Sequence, residues 1–139
     1  YFVKPCDSSD KLANQTIINT SQTIEEKLKL TLKKYFNYDC FKSETQRLAC
    51  LEIAKKNHDI YVSMPTGAGK SLCFQLPALV HNGVTIVISP LIALIYDQVE
   101  QLKSRNVIAE SLNSKISAKK KKQILGDLTS EKPSIKLLY

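Results

Sequence analysis

A glycine-rich segment near the middle of the chain reads Met64-Pro-Thr-Gly-Ala-Gly-Lys-Ser71. The residues before it, Asp59 to Met64, are largely β-branched, aromatic or apolar and have no helical period, so they predict a short buried strand. The residues from Lys70 to Leu79 predict a helix. A strand, a glycine-rich turn and a helix, in this order, form the context in which such a segment holds phosphate groups.

The two glycines explain why this segment suits a phosphate. Gly67 and Gly69 lack a Cβ, so the backbone can take positive φ angles and direct successive N–H groups at phosphate oxygens. The helix that follows adds its unpaired N–H groups and the positive end of its dipole. Lys70 can reach the β- and γ-phosphates, and the Ser71 hydroxyl can ligate Mg²⁺. The segment predicts Mg-ATP or Mg-GTP rather than a dinucleotide, although Met64 stands where the general G-x-x-x-x-G-K-[ST] pattern has its first glycine.

The composition is that of an ordinary globular domain. The 139 residues are 43% hydrophobic and 24% charged, which is enough for one domain with a core. The sequence has no apolar run of membrane-spanning length and does not open on a secretory signal pattern. We therefore expect an intracellular protein that does not associate with a membrane.

The cysteines are expected to be reduced structural thiols. None belongs to a C-x-x-C pair, and no histidine stands nearby at the spacing of a zinc site. This pattern predicts no metal site built on protein ligands. The residues concerned are Cys6, Cys40, Cys50, Cys73, His58 and His81.

The charge balance favours a polyanionic partner such as nucleic acid. The formal net charge is +7 and the isoelectric point is about 9.2, and such values bear on association rather than on fold. Lysines cluster between Lys27 and Lys34 and again at Lys119 to Lys122. Each cluster is also compatible with an ordinary solvated helix face.

The segments around the glycine-rich turn predict helices that alternate with strands. Residues 1–22 are polar and weakly periodic, and we interpret them as a tail or an extra element. Helices are predicted from the capping box at Thr23 to Tyr35, from Glu44 to Lys56 with Ser43 as cap, from Ser89-Pro90 to Lys103, and from Ser117 to Leu128.

Three further strands are predicted after the glycine-rich turn. They are Val84 to Ile88, Val107 to Leu112 and Ile135 to Tyr139. The first of them is a continuous β-branched run, which is typical of a strand buried on both faces. Strands that alternate with helices predict a parallel α/β sheet with right-handed crossovers. Pro77 is expected to kink or shorten the helix that follows the turn.

Three segments resemble the motifs of RecQ-type DNA helicases, in the order that this family has them. Met64 to Leu79 resembles the nucleotide-binding motif, Val87 to Leu102 resembles motif Ia, and Tyr35 to Gln46 resembles the adenine-recognition motif. Together they cover most of residues 35–102. The stretch from Leu112 to Ala118 and the spacing from Phe41 to Gln46 are similar to the fifth RecQ subclass.

The resemblance implies a P-loop RecA-like parallel sheet flanked by helices, here truncated after about four strands. Residues 23–139 would be the N-terminal part of the first RecA-like ATP-binding domain. The sequence has no Asp-Glu-x-His cluster, and Arg47 and Arg105 are expected on helix surfaces rather than as arginine fingers. We expect the acidic Walker B motif and a second motor domain beyond Tyr139, and we expect this fragment alone to be inactive.

The resemblance also implies roles for residues around the nucleotide. Gln46 would hydrogen-bond the adenine edge and so select ATP over GTP, and Tyr38 would stack on the base. Lys42 stands where most relatives have arginine, and an ammonium lacks the planar stacking surface of a guanidinium. Tyr38 and Phe41 could instead pack beneath the second helix, and Gln46 could also complete a capping box with Ser43. The phosphate-binding residues would be Thr66, Gly67, Ala68, Gly69, Lys70, Ser71 and Leu72, with Lys70 and Ser71 catalytic and Ser71 a ligand of Mg²⁺.

The DNA-binding residues implied by the resemblance follow two of the strands. Ser89, Pro90 and Leu91 would face single-stranded DNA from the loop at a strand's carboxyl end, where open α/β sheets place their ligands. Short polar side chains and N–H groups there can contact phosphates without reading sequence. Asn113 would make a further backbone contact, and a simple turn explains it equally well.

The expected function is that of an ATP-dependent 3′ to 5′ DNA helicase. Such an enzyme couples ATP hydrolysis to translocation on single-stranded DNA and to unwinding, with single-stranded and forked DNA as partners, in repair and recombination in the nucleus. One alternative is a nucleotide-dependent nucleic-acid-binding module that does not unwind. Another is an RNA helicase of the same superfamily, since no residue here is known to read the 2′-hydroxyl. No protein partner is indicated.

Overall fold

The computed structural model describes residues 24–139, so the polar segment 1–22 and the capping residue Thr23 lie outside the described residues. The helices are α1 (24–36), α2 (Glu44–Lys55), α3 (Lys70–Val80), α4 (Ile92–Ser104) and α5 (Ala118–Leu128). The strands are β1 (Thr85–Ile86), β2 (Ala109–Glu110) and β3 (Leu137–Leu138). Among the helices of this described part, none is long and apolar enough to cross a membrane.

The ends of α1 and α2 lie within one residue of their predicted positions, while the predicted start of α1 at Thr23 lies outside the described residues. The last turn of α1, Leu32–Phe36, is a π-helix, and Asn37 ends it with a φ of 56°. Asparagine tolerates this left-handed conformation better than most residues. The expected cap of α2 is confirmed, because Ser43 Oγ accepts a hydrogen bond from Gln46 N at 3.2 Å. The loop between these helices therefore has a fixed entry and a fixed exit.

An arginine joins α1 to α2. Arg47 on α2 lies 3.0 Å from Glu25 on α1 and 2.6 Å from Glu44 within its own helix. A hydrogen bond from Lys29, together with the charge of Arg47, lowers the pKa of Glu25. A hydrogen bond from Arg47 lowers the pKa of Glu44. Arg47, which is expected on a helix surface, therefore bridges α1 and α2.

The helix after the glycine-rich turn runs through its proline. Pro77 is buried in the last turn of α3, which ends at Val80. A proline has no N–H, so it cannot donate to the carbonyl of Cys73 four residues earlier. The helix ends at Val80, one residue after its predicted end at Leu79, so the proline does not shorten it.

The sheet contains three parallel strands in the order β1-β3-β2. Thr85 on β1 and Ala109 on β2 both pair with Leu137 on β3. Helices cover both faces of β3, because Leu137 packs into the main core while Leu138 packs with Ile124 of α5. The predicted parallel sheet flanked by helices is confirmed, with the strand that is last in sequence at its centre.

The prediction that Val84 to Ile88 is buried on both faces is wrong. Ile86 is 71% exposed and Ile88 is 94% exposed, whereas Val87 packs against the main core. Helix α5 covers β3 and the Val84 end of this segment, and it leaves the rest of that face open. The β-branched run therefore predicts the strand correctly but does not predict whether one or both of its faces are buried.

The strand predicted from Asp59 to Met64 is not part of the sheet. Residues 59–65 carry no strand pairing among the described residues. Val62 and Met64 pack against the core while Tyr61 is 93% exposed, so the side chains alternate as they would in a strand. The pattern predicts the alternation, but pairing needs a neighbouring strand, and β1 has β3 as its partner instead.

A carboxylate closes the turn between α5 and β3. Asp127 accepts hydrogen bonds from Ser134 N at 3.0 Å, Ser134 Oγ at 2.6 Å and Ile135 N at 3.1 Å. These bonds lower the pKa of Asp127 from its ordinary value of 3.8, with the Ser134 hydroxyl as the largest cause. The turn leads directly into the central strand, so this side chain orders the segment that precedes β3.

We expect Asp127→Asn to lower the melting temperature at pH 7, because an amide offers one acceptor oxygen instead of two. A lowered pKa means that the ionised carboxylate stabilises the fold above the unfolded-state pKa, and that this contribution disappears as the pH falls through the folded-state pKa. Thermal unfolding at pH 7 and pH 3 should therefore show a smaller difference between variant and wild type at pH 3. Asp97→Asn, which alters an exposed carboxylate on α4, is the control. Equal differences at the two pH values would contradict this role.

Candidate nucleotide-binding site

A cleft of about 500 Å³ lies where the α1–α2 loop, the glycine-rich turn and α4 meet. Its size is within the range of small-molecule sites. It brings together two of the segments predicted to bind nucleotide, although they are more than 20 residues apart in sequence. The lining side chains that matter here are Tyr38, Lys42, Gln46, Ser71, Gln101 and Arg105.

The glycine-rich turn has the backbone that a phosphate site needs. Gly67 has a φ of 79° and Gly69 a φ of 86°. The turn closes with a hydrogen bond from Ala68 N to Pro65 O at 3.2 Å. Gly69 is the N-cap of α3 and has no side chain to bond the helix's first N–H groups. The first turn of α3 and the positive end of its dipole therefore lie at the cleft, which Gly69, Ser71 and Leu72 line.

Gln46 is buried at the bottom of the cleft, with 2% of its surface exposed. Its Oε1 accepts a hydrogen bond from Lys42 N at 2.9 Å, and its Nε2 donates to Gly69 O at 3.1 Å. Its backbone N–H also bonds the cap of α2. A Cβ at Gly69 would collide with Gln46 Nε2. The side chain therefore ties the first turn of α2 to the first turn of α3.

Two lysines are bonded to carbonyl oxygens of the glycine-rich turn. Lys42 Nζ donates to Gly67 O at 2.6 Å. Lys70 Nζ donates to Met64 O at 2.6 Å and to Pro65 O at 3.1 Å. Two positive charges thus lie beside the turn, and the carbonyl oxygens that would repel an anion are engaged by ammonium groups.

The aromatic residues at the cleft divide into one exposed ring and two that are partly or fully buried. Tyr38 is 49% exposed and lines the cleft. Phe41 packs against the core while it also lines the cleft, and Phe36 is buried in the core. A salt bridge of 2.7 Å between Lys33 and Asp39 holds the segment that carries Tyr38. The packing alternative therefore describes Phe41 better than Tyr38.

Helix α4 contributes residues that the sequence pattern did not predict for the site. Gln101 and Arg105 line the cleft, and the Arg105 guanidinium lies 5.1 Å from the centre of the Phe36 ring. Gln98, one turn earlier, donates from Nε2 to Ser71 Oγ at 3.5 Å. Arg105, which is expected on a helix surface, is half-buried there and faces the cleft. The available signal was the spacing of polar residues at 98, 101 and 105, which places them on one face of a helix.

Two buried thiols fix the contact between α2 and α3. Cys50 Sγ lies 3.7 Å from Leu72 O, and Cys73 Sγ lies 4.0 Å from Gly69 O. A hydrogen bond to Cys73, with burial, raises the pKa of the Cys50 thiol. Cys40, Cys50 and Cys73 are all free thiols. Cys50 is therefore a neutral packing group next to the turn.

The residues predicted to face DNA lie at the carboxyl ends of β1 and β2. Ser89 Oγ accepts a hydrogen bond from Leu91 N at 3.4 Å, and Leu91 is 61% exposed at the start of α4, just after the exposed Pro90. Asn113 Oδ1 accepts from Lys115 N at 2.9 Å within its own turn. The first loop therefore presents open surface, while the side chain of Asn113 serves the turn.

Metal-ligating side chains do not form a cluster in the part of the chain that the structure describes. Within residues 24–139, no group of three or more His, Cys, Asp or Glu side chains is arranged to hold a metal ion. The Ser71 hydroxyl lies in the first turn of α3, next to the glycine-rich turn, and lines the cleft.

Residues 43–139 match the family model of the DEAD/DEAH box helicases, which is more than half of the chain. The chain belongs to this family. The match begins at the cap of α2 and includes the glycine-rich turn, α4 and the whole sheet. Members of this family use ATP, so the cleft is the place to expect the nucleotide.

Relatives with RecQ-type names are similar to most of the chain. ATP-dependent DNA helicase Q5 of Mus musculus is 53% identical over 83% of this chain and 12% of its own length. RecQ-like DNA helicase blm-1 of Caenorhabditis elegans is 44% identical over 78% and 11%. ATP-dependent DNA helicase RecQ of Synechocystis is 42% identical over 85% and 23%. The predicted resemblance to RecQ helicases is confirmed, and the chain spans less than a quarter of these relatives.

We expect Gly69→Ala to destabilise the chain more than Gly67→Ala does. Both positions have positive φ, which costs a residue with a Cβ about 1–2 kcal/mol. At Gly67, no heavy atom of the described residues lies within 4 Å of an added Cβ, whereas at Gly69 the Cβ displaces the amide of Gln46. Urea unfolding of both variants measures the difference.

A second background separates this collision from backbone strain. Gly69→Ala should lower the free energy of unfolding less in a Gln46→Ala background than in the wild type, because the colliding amide is gone. Gly67→Ala should cost the same in both backgrounds. Equal costs for Gly69→Ala in the two backgrounds would show that the contact does not constrain the turn.

Proposed function

We propose that this chain is the ATP-binding part of an ATP-dependent 3′ to 5′ DNA helicase of the RecQ type. Residues 23–139 would form the N-terminal part of its first RecA-like motor domain, and the whole protein would couple ATP hydrolysis to movement on single-stranded DNA. The single observation that supports this most is the cleft, because it is lined by both the adenine-recognition segment and the glycine-rich turn.

The triphosphate is proposed to lie over the glycine-rich turn at the start of α3. Backbone N–H groups from Thr66 to Leu72 would surround its oxygens, as helix N-termini and successive loop amides do. The Lys70 ammonium would exchange its carbonyl bonds for the β- and γ-phosphates. That exchange is favourable because a bond between two charged groups is stronger than a bond from a charged group to a neutral carbonyl.

The adenine is proposed to lie between Tyr38 and the first turn of α2. An amide side chain has two lone pairs on its oxygen and two N–H groups, and Gln46 uses one of each within the protein. The remaining lone pair and N–H match the adjacent donor and acceptor of an adenine edge. The stem of Lys42 would cover the other side of the base without the planar contact that arginine gives.

The residues near the phosphates suit Mg²⁺ held mainly by its substrate. Mg²⁺ usually keeps several waters and takes few protein ligands beside phosphate oxygens. Ser71 Oγ lies at the cleft and accepts a hydrogen bond from Gln98 Nε2, and the buried Oε1 of that amide has no hydrogen-bond partner among residues 24–139. One hydroxyl ligand and one acceptor for a bound water would fit the ion. When bound, Mg²⁺ supplies positive charge to the transferring phosphoryl group.

Single-stranded and forked DNA are proposed to cross the carboxyl edge of the sheet. Ser89, Pro90 and Leu91 form an open loop there and lead into α4, so the Ser89 hydroxyl and the N–H groups of Ser89 and Leu91 can contact phosphates, whereas Pro90 has no N–H to donate. Asn113 lies at the end of β2, which lies beyond β3 in the same sheet. The net charge of +7 favours such a partner. The cellular role proposed with this activity is DNA repair and recombination in the nucleus.

We expect Lys70→Ala to lower the single-strand-stimulated ATPase rate of the full-length protein by about 10²–10³-fold, because a preorganised positive charge at the transferring phosphate is lost. The measurement is steady-state phosphate release with saturating single-stranded DNA. Lys103→Ala is the control, since this lysine of α4 pairs with Glu110. Turnover at the wild-type rate in Lys70→Ala would refute the proposed role.

We expect Gln46→Ala to lower the preference for ATP over GTP by about fivefold, the factor that corresponds to a hydrogen bond of about 1 kcal/mol. Competition of each nucleotide against a fluorescent ATP analogue measures this ratio. Ser43→Ala is the matched control, because it removes the helix cap and keeps the amide. An equal loss of selectivity in Ser43→Ala would assign Gln46 a structural role alone.

A further inference from the structure

A glutamine on α4 touches the hydroxyl group at the phosphate end of the cleft. Gln98 Nε2 donates to Ser71 Oγ at 3.5 Å. The Oε1 of the same amide is buried and has no hydrogen-bond partner among residues 24–139. A buried acceptor that lacks a partner loses its hydration without a compensating hydrogen bond. Such a group therefore calls for a partner that binds at this place.

Packing does not explain why a glutamine stands at this position. The residues of α4 that are buried in the core are Ile95, Val99 and Leu102. Gln98 lies at the border of this apolar face and is partly exposed as a whole. An apolar side chain of the same length would fill the same space without a buried unpaired oxygen.

The position of the amide matches that of a group that supports a metal ligand. Side chains that bond to a metal's ligands orient them, and their loss typically weakens metal binding by 10–100-fold. The Ser71 hydroxyl is the proposed protein ligand of Mg²⁺, and the remaining ligands of such an ion include water. The unpaired Oε1 is an acceptor beside that ligand.

We propose that Gln98 is a positioning residue for the Mg²⁺ of the bound nucleotide. Its Nε2 fixes the rotamer of Ser71 so that a lone pair of Oγ faces the cleft. Its Oε1 accepts a hydrogen bond from a water on the cation. This inference rests on the proposed Mg-ATP site and adds a contact from α4 to it.

The test is the Mg²⁺ dependence of nucleotide binding by the full-length protein. A fluorescent ATP analogue is titrated in EDTA and at a series of Mg²⁺ concentrations. In Gln98→Met, the Mg²⁺ concentration that gives half of the gain in affinity should rise about tenfold. Affinity in EDTA should not change, because the base and phosphate contacts remain. Gln123→Met, the same change at an exposed position of α5, should alter neither value.

A double-mutant cycle with Ser71 distinguishes positioning from general packing. In a Ser71→Ala background, Gln98→Met should have no further effect on the Mg²⁺ dependence, because the hydroxyl that it orients is gone. Gln98→Asn keeps an amide but is one methylene shorter, so it should give the same rise as Gln98→Met. If Gln98→Met melts at a lower temperature than the wild type, Gln98→Asn replaces it in the Mg²⁺ titration.

If Gln98→Met lost the same affinity for the nucleotide in EDTA as in Mg²⁺, the inference would be overturned. It would also be overturned if Gln98→Met raised the required Mg²⁺ concentration by the same factor in the Ser71→Ala background as in the wild type. In either case the wild type still binds the nucleotide, so the proposed function stands. A wild-type protein that binds no nucleotide under either condition would overturn the proposed function and this inference with it.

Discussion

The hydrogen bond from Gln46 Nε2 to the Gly69 carbonyl oxygen holds together the parts of the chain that form the cleft. Gln46 belongs to the first turn of α2, and Gly69 caps α3. The other end of the same amide accepts from Lys42 N, which adds the loop after α1. A buried amide has few alternative partners, so these bonds fix the distance between the α1–α2 loop and the glycine-rich turn on the two sides of the cleft. They also mean that a Cβ at position 69 would displace the Gln46 amide, in addition to the strain from the positive φ angle.

The backbone of the glycine-rich turn also determines where the two lysine ammonium groups at the cleft lie. A turn with two positive φ angles directs N–H groups inward, and its carbonyl oxygens must then bond elsewhere. Lys42 and Lys70 donate to three of these oxygens, on Gly67, Met64 and Pro65. The two ammonium groups therefore stabilise the turn and lie beside the place proposed for the phosphates. The same lysines serve the fold of the turn and its proposed chemistry.

The helices are predictable from neighbouring residues. The strands are less predictable because each depends on pairing with residues far along the chain. The caps at Ser43 and Ser117 lie three residues before the N–H groups that bond them, so a short window of sequence contains both partners. A strand depends on residues far along the chain. Val84 to Ile88 pairs over two residues because β3, about 50 residues later, is its partner, and the apolar run cannot report that one of its faces stays open. Asp59 to Met64 alternates as a strand and yet has no pairing for the same reason.

The site was predictable where its residues share a segment and unpredictable where they come from α4. With about 100° per residue, Ile95, Val99 and Leu102 form one stripe of this helix, and Gln98, Gln101 and Arg105 form a second stripe about 90° away. The sequence contains both stripes, and amphipathic spacing assigns the apolar one to the core. Polar residues at the border of a buried face can meet solvent, or they can meet a polar cavity next to the core. What decides between these outcomes is the turn before α3, which places Ser71 and the cleft at that border. Since the turn and α4 are separated in sequence by α3 and β1, their contact is a property of the fold and not of either motif.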